Sequence, residues 1–405
     1  MKTVIIGAGA AGMMCAARLS NSGESVTLIE KMDKSGLKLG ITGKGRCNLT
    51  NDCTKEEFIS SVVHNPRFIM SAINGFTPQD TMAYFEKIGV PLKTERGKRV
   101  FPVSDKALDV VYALREECKN AEHIKGRACE IIIENGEAVG VLLDDGRRLY
   151  GDRVVLATGG MSYPLTGSTG DGYEIAKKAG HTVTDLQPSL VGLVIKEGVC
   201  QKMQGLSLKN IAVKLYEGNK CIYEDFGELL FTHFGISGPV VLSMSGHMNA
   251  GHNYRIVIDL KPAFDEATLE KRILSDFAKF SNKDFENSLS ALLPQKMIPV
   301  IVSRTEIDKF KKVNSITKEE RKRLLAELKG FSLTFQGFRG IDEAIVTRGG
   351  VNVKEINPKT MESKIVKNLY FCGEVIDIDA YTGGFNLQLA FSSAVAAARG
   401  ITGEI

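Results

Sequence analysis

Gly7, Gly9, Gly12 and Glu30 have the residue types and spacing of a site for a nucleotide phosphate and its ribose. They stand in Thr3-Val-Ile-Ile-Gly-Ala-Gly-Ala-Ala-Gly12 and in Ser25-Val-Thr-Leu-Ile-Glu30. Gly7 allows a tight turn out of an apolar strand. Gly9 lets the backbone approach a pyrophosphate, and Gly12 lets the following helix pack close to the strand. Ala10 and Ala11 open that helix, whose free N–H groups and dipole favour phosphate. A carboxylate at Glu30 can accept hydrogen bonds from a ribose 2′-hydroxyl, with Lys31 beside it. The elements needed to position them are strand, glycine turn, helix and strand, which together bind a dinucleotide. The motif alone does not distinguish FAD from NAD.

Two later segments have the same character. Arg153-Val-Val-Leu-Ala-Thr-Gly-Gly160 is an apolar strand that delivers Thr158, Gly159 and Gly160, and Val139–Tyr150 before it flanks the turn Asp144-Asp-Gly146. Asn368-Leu-Tyr-Phe-Cys-Gly-Glu374 is another strand, ending in Gly373 and Glu374. It is followed by Gly383-Gly-Phe-Asn-Leu-Gln388 and an Ala-rich helix over 389–399. The three segments predict one parallel sheet interrupted in sequence, with the ligand across its carboxyl ends. From about Pro188 to Arg348 the pattern differs. Leu208–Tyr223 and Tyr254–Leu260 alternate as antiparallel strands do. Within 265–329 Asp265 can cap a helix carrying Leu269, Ile273, Phe277 and Phe280, and Thr317-Lys-Glu-Glu320 is a capping box.

A chain of 405 residues is long enough for two or three domains. Its 43% hydrophobic and 25% charged residues are ordinary for a soluble protein, and no apolar run reaches the roughly 18–20 residues of a membrane span. The first strand begins at once, leaving no room for a signal peptide. Eight cysteines without a CxxC pair suit reduced thiols in a cytoplasm, with no metal site expected. A net charge of +4 does not argue for nucleic acid. Phe310-Lys-Lys312 and Arg321-Lys-Arg323 read as a solvated helix face, without aromatic stacking platforms. Nucleic acid is therefore not expected as a partner, nor is a membrane.

The C-terminal segment selects FAD. An NAD domain needs no late strand ending in Gly-Glu, whereas FAD domains with two dinucleotide-binding motifs use such an acid on the ribitol. The next helix, entered through Gly384, Phe385, Asn386 and Leu387, aims its N-terminus at the flavin, where a positive dipole end stabilises charge on the reduced ring.

Further motifs carry a family resemblance: Ile41-Thr-Gly-Lys-Gly-Arg-Cys-Asn-Leu-Thr-Asn51, Arg99-Val-Phe-Pro-Val-Ser-Asp-Lys106, Thr166-Gly-Ser-Thr-Gly-Asp-Gly172, Leu230-Phe-Thr-His-Phe-Gly-Ile-Ser-Gly-Pro239 and Thr347-Arg-Gly-Gly-Val351. With the glycine fingerprint and the C-terminal segment, these resemble the BaiN/RdsA (YhiN-like) family of FAD-dependent proteins over nearly the whole chain. The resemblance implies an α/β fold: a discontinuous Rossmann-like FAD domain (1–187 and 347–405) with an inserted β-rich substrate domain (188–264 and 330–346) that carries a helical subdomain (265–329).

Thr42–Asn51 reads as a loop. Gly43, Gly45 and Arg46 suit a phosphate, and Asn48 can hydrogen-bond a flavin edge. Cys47 is either a packing residue beside the flavin or a reactive thiol, the latter requiring a pKa depressed by Lys44 and Arg46. Asp171 either caps a helix from Tyr173 or contacts the flavin. Ala128 and Asp377 are further cofactor candidates. His233 sits in a turn that reads either as structural or as lying against the flavin. Tyr381 is the candidate proton donor, since a phenol stays protonated at neutral pH and can bond a carbonyl.

Three reactions fit. The first is reduction of an activated C=C, with NAD(P)H as a transient donor because no second GxGxxG occurs. The resemblance implies 3-oxo-Δ4,6 bile-acid intermediates as substrates. The second is amine oxidation by oxygen, for which the resemblance implies an aminoacetone-like substrate. The third is a flavin-bearing RNA-associated protein. The substrate pocket is expected where the insert faces the flavin.

Overall fold

The computed structural model describes residues 1–404, which divide into two compact units: Met1–Ser189 with Gly340–Ile405, and Leu190–Arg339. Residues 340–346, expected in the insert, belong to the first unit. The Gln187–Ser189 strand pairs antiparallel with Val346–Arg348, which ties both crossings to the first core.

The first unit is built on five parallel strands. β1 (Lys2–Ile6) is central, with β2 (Ser25–Glu30) and then β3 (Glu122–Lys125) on one side, and β4 (Arg153–Leu156) and then β5 (Leu369–Phe371) on the other. Val4 pairs with both Thr27 and Val154. The four inner strands are largely apolar because both faces are covered, as in parallel sheets generally, whereas the edge strand β3, Glu-His-Ile-Lys, is mostly exposed. α1 (Ala10–Asn21) crosses from β1 to β2 and buries Met13, Met14, Ala16, Ala17 and Leu19. It packs against α3 (Phe385–Thr402), whose Ala-rich face is likewise buried.

A three-stranded antiparallel meander, Ala128–Glu134, Glu137–Leu143 and Arg148–Tyr150, lies in the same unit, with the Asp144–Gly146 turn between its last two strands. The residues before the expected loop over 42–51 form α2 (Leu37–Gly45), whose backbone leaves helical geometry at Thr42, where ψ is 150°, and at left-handed Gly43 and Lys44, as a loop beginning at Thr42 requires. Gly40, Gly43 and Gly45 explain both facts: glycine weakens a helix by about 1 kcal/mol per residue, so the segment gives little helical signal and ends early.

The second unit is a closed six-stranded barrel ordered Leu193–Ile195, Gly235–Ser237, Lys220–Phe231, Ser207–Glu217, Tyr254–Asp259 and Phe331–Phe338. A hairpin turn at Gly218–Asn219 divides the stretch read as alternating strand. Closure leaves no exposed sheet edge. Three helices, Glu266–Lys279, Ile298–Thr305 and Lys318–Lys329, pack on the barrel, and Val213, Phe231, Ile256, Leu269, Ile301, Leu328 and Leu333 share its core. Asp265 accepts the Thr268 N–H at 2.7 Å, and the capping box at Thr317 is formed. Among the described residues no helix is long and apolar enough to cross a membrane.

Candidate functional site

A cavity of about 340 Å³ opens in the first unit at the carboxyl ends of β1, β2, β4 and β5. At its first wall are Gly7, Gly9, Ala10 and Ala11. The first intrahelical bond of α1 runs from Met13 N–H to Gly9 O at 3.0 Å, so the earlier N–H groups of the helix are left for a ligand. A Cβ on Gly9 would meet nothing within 4 Å, which makes this the open cradle of the turn. Gly12 does not reach the cavity. A Cβ there would stand 1.8 Å from Gly7 O, so glycine is required for the helix to pass the turn.

Glu30 lines the cavity, held by the N–H groups of Ala8 and Met32, both at 2.9 Å. Each of its oxygens keeps acceptor capacity for a ribose hydroxyl. Beside it, Lys31 and Arg127 converge on Asp171 at 2.9 Å. Burial alone would raise the Asp171 carboxyl, but hydrogen bonds from Arg127 and Lys31 outweigh it and hold the group well below the usual carboxylate range. Asp171 therefore does not cap the helix. It is the first residue of Asp171–Lys178 and serves the cavity wall with Thr166, Gly167 and Ser168. Ala128, Thr158 and Gly159 complete this side.

On the far wall Glu374 follows β5. Its Oε2 accepts the Lys38 ammonium at 2.6 Å, and its Oε1 accepts the Thr347 N–H at 2.8 Å. Lys38 also bonds Ser162 Oγ at 2.7 Å. Lys38 had no signal in the sequence, because the glycine-rich segment around it conceals α2. Gly373, Gly384, Asn386, Leu387 and Tyr381 line the cavity too. The first bond of α3 runs from Gln388 N–H to Gly384 O, so its first turn presents N–H groups toward this wall. Gly384 has φ 99°, and a Cβ there would lie 2.3 Å from Thr50 O. The Asn386 side chain bonds the backbone of Ala380 at both atoms, so it fixes the loop that carries Tyr381.

Several expected ligands lie elsewhere. Gly160 backs Glu374, and the Phe385 ring packs on Phe58 at 5.4 Å. Asp377 is half-buried. Burial raises its carboxyl, against hydrogen bonds with Thr184 and Asn65. Gly43 and Asn48 reach the cavity, whereas Gly45 and Arg46 do not. The Arg46 guanidinium is committed to Glu95 and Asp105 and stacks over Phe101 at 4.2 Å, so it is not a phosphate ligand. Cys47 is fully buried, and desolvation pushes its thiol up to about 12. It is protonated at neutral pH and is no nucleophile. His233 lies in the second unit, its ring 5.1 Å from that of Phe234.

The donor set fits FAD. Two helix N-termini, a ribose-binding carboxylate and a second carboxylate share one cavity. Asn48, which lines it, has a buried Oδ1 with no hydrogen-bond partner among the described residues. Such orphaned groups call for a polar ligand.

The HI0933-like protein Rossmann-domain family matches residues 1–400. A 3-dehydro-bile acid delta(4,6)-reductase of Clostridium scindens is 31% identical over 406 residues, covering 98% of this chain and 97% of the relative. A ribosomal RNA dihydrouridine synthase of Escherichia coli is 31% identical over 397 residues, covering 98% and 96%. The structure of a 3-ketosteroid-delta4-(5alpha)-dehydrogenase from Rhodococcus jostii, in complex with 4-androstene-3,17-dione, superposes with a TM-score of 0.50 at 15% identity, over 98% of this chain and 96% of that one. That likeness is one of fold. The resemblance drawn from the Gly-Arg-Cys-Asn and C-terminal segments holds: the chain belongs to the HI0933-like family, and its first unit is a Rossmann-type FAD-binding domain.

Proposed function

We propose that the protein is an FAD-dependent reductase of carbon–carbon double bonds conjugated to a carbonyl, with a 3-oxo-Δ4,6 steroid such as a bile-acid intermediate as substrate and NAD(P)H as transient donor. The observation that carries this reading is the end-to-end match to the bile-acid reductase, on a chain whose cavity fits FAD. Bound FAD supplies hydride transfer to carbon. Glu30 holds the adenosine ribose and the α1 N-terminus holds the pyrophosphate. Glu374, clamped by Lys38, meets the ribitol. The N-terminus of α3 favours negative charge at the ring end. Tyr381 hydrogen-bonds the substrate carbonyl, drawing electrons out of the double bond.

The test is anaerobic stopped-flow. NADH or NADPH should bleach the flavin, and the steroid should restore its absorbance. If neither nucleotide bleaches it, the donor assignment fails. Peroxide release with small amines and no response to enones would support the oxidase reading instead.

A second reading rests on the dihydrouridine synthase relative, equal in identity and coverage. A uracil ring also holds a C=C conjugated to a carbonyl, so the same site chemistry would serve. Nucleic acid therefore returns as a partner to be tested. Ribosomal RNA that reoxidises the reduced protein, with salt-dependent retention, would select this substrate over the steroid.

A further inference from the structure

The cofactor cavity holds one side-chain amide that no protein group satisfies. Asn48 lines it, and the Oδ1 is buried without a hydrogen-bond partner among the described residues. The Nδ2 has no partner among them either. The residue is held on both sides. Cys47, left-handed at φ 60°, donates its N–H to Thr42 O at 2.9 Å, and the Leu49 N–H bonds Val100 O at 2.9 Å. A Cβ on Gly43 would stand 2.9 Å from Asn48 N, so glycine keeps the approach to Asn48 clear.

The residues that follow Asn48 run along the N-terminus of α3. Thr50 O lies 2.3 Å from where a Cβ on Gly384 would stand. Asn51 Nδ2 donates to Gly383 O at 3.0 Å, and the Thr50 hydroxyl bonds Gln388 Oε1 at 2.6 Å. Gly383 and Gly384 line the same cavity as Asn48. Asn48 thus belongs to the end of the cavity assigned to the flavin ring, and Glu30 to the adenosine end. A primary amide with both ends unengaged matches a group that sets a donor beside an acceptor, the bidentate pairing by which Asn reads a base edge. The pyrimidine side of the isoalloxazine has such an edge, an N–H between two carbonyls, and N3–H is the single N–H of the oxidised ring. The other donors of FAD lie elsewhere: the ribitol hydroxyls meet Glu374, and the adenine amine is at the far end.

We infer that Asn48 reads the imide edge of the flavin, Oδ1 accepting from N3–H and Nδ2 donating to the neighbouring carbonyl. This rests on the placement of FAD proposed above and holds for steroid and RNA substrates alike. Negative charge spreads onto that carbonyl when the ring is reduced, and a hydrogen bond to a charged acceptor is the stronger one. Asn48 therefore favours the reduced cofactor over the oxidised one.

The test titrates the full-length apoprotein with FAD and with N3-methyl-FAD, which lacks the donor. Wild type should bind the methylated cofactor about 10-fold more weakly, the loss expected when a buried acceptor is left unpaired. Asn48→Ala should bind the two within about twofold of each other. Asn48→Asp keeps an acceptor and loses the donor, so it should retain the discrimination. Both variants should shift the equilibrium between reduced and oxidised cofactor about 10-fold toward the oxidised form, a fall of about 30 mV in the two-electron potential measured against a dye. Melting of the apoproteins controls for folding. Discrimination retained by Asn48→Ala, equal binding of both cofactors by wild type, or a potential unchanged in both variants overturns the inference and leaves the FAD site standing. Wild type that binds neither cofactor overturns the placement of FAD as well. If Asn48→Ala does not retain FAD, its affinities for oxidised and dithionite-reduced FAD decide, and equal losses for the two are an overturning result.

Discussion

Gly12 shows how much one missing side chain decides. A Cβ on it would stand 1.8 Å from the Gly7 carbonyl oxygen, a backbone atom that cannot move aside without opening the turn. Gly12→Val should therefore purify with little or no flavin, read as the ratio of flavin to protein absorbance, and should melt earlier. Lys38 is a different case. It and Glu374 are each about one-fifth exposed, and Lys38→Met leaves the carboxylate with the Thr347 N–H but no cation. Urea unfolding of the FAD-free protein should show a loss of about 1–3 kcal/mol, the cost of leaving a charged group short of a partner. Glu30 and Glu374 were legible because each ends an apolar strand after or before a glycine signature. Lys38 was not, because nothing adjacent in sequence marks its partner Glu374. For Cys47 the sequence left packing and reactivity open and burial selects packing, whereas Arg46, read as a phosphate ligand, is taken up by Glu95 and Asp105.

Among the elements, helix starts follow local rules and strand environments do not. Thr317→Ala removes a formed capping box and should cost about 1 kcal/mol in urea unfolding. Behind β5, the buried His181 ring stacks edge-on against Phe371 at 4.8 Å, between Glu355 at 3.1 Å and Ser363 at 2.9 Å. Burial lowers its pKa below the ordinary 6.5, with Glu355 opposing. The unfolded chain thus binds the His181 proton more readily than the folded one, so stability rises with pH through this window and is lost as pH falls below about 6.5. Glu355 adds to the loss at lower pH: burial alone would raise it, but the Thr182 N–H and His181 hold it down. Melting temperature should fall from pH 7 to pH 5, and His181→Gln should be less stable at pH 7 yet show a shallower fall. The helix at Lys318 and the alternating strands of the barrel were visible in sequence because capping boxes and period-two patterns are local. The barrel's closure was not, since it depends on Leu193–Ile195 pairing with Phe331–Phe338 far along the chain.

At the scale of the molecule, every residue lining the cofactor cavity lies in Met1–Ser189 or Gly340–Ile405. A chain lacking Leu190–Arg339, with Ser189 and Gly340 joined by a short Gly/Ser linker, should keep FAD binding near one per chain, measured by flavin absorbance. The two hydrophobic cores support this, because each unit buries its own set of side chains. The sequence by itself determined the dinucleotide fold, the choice of FAD and the interruption of the sheet, since glycine turns, acidic strand ends and apolar runs act through their immediate neighbours. Only the tertiary structure decided which charges meet. Lys38 with Glu374, Arg127 with Asp171, and His64 with Asp379 are pairs far apart in the chain, and Coulomb attraction and burial act on distance in space.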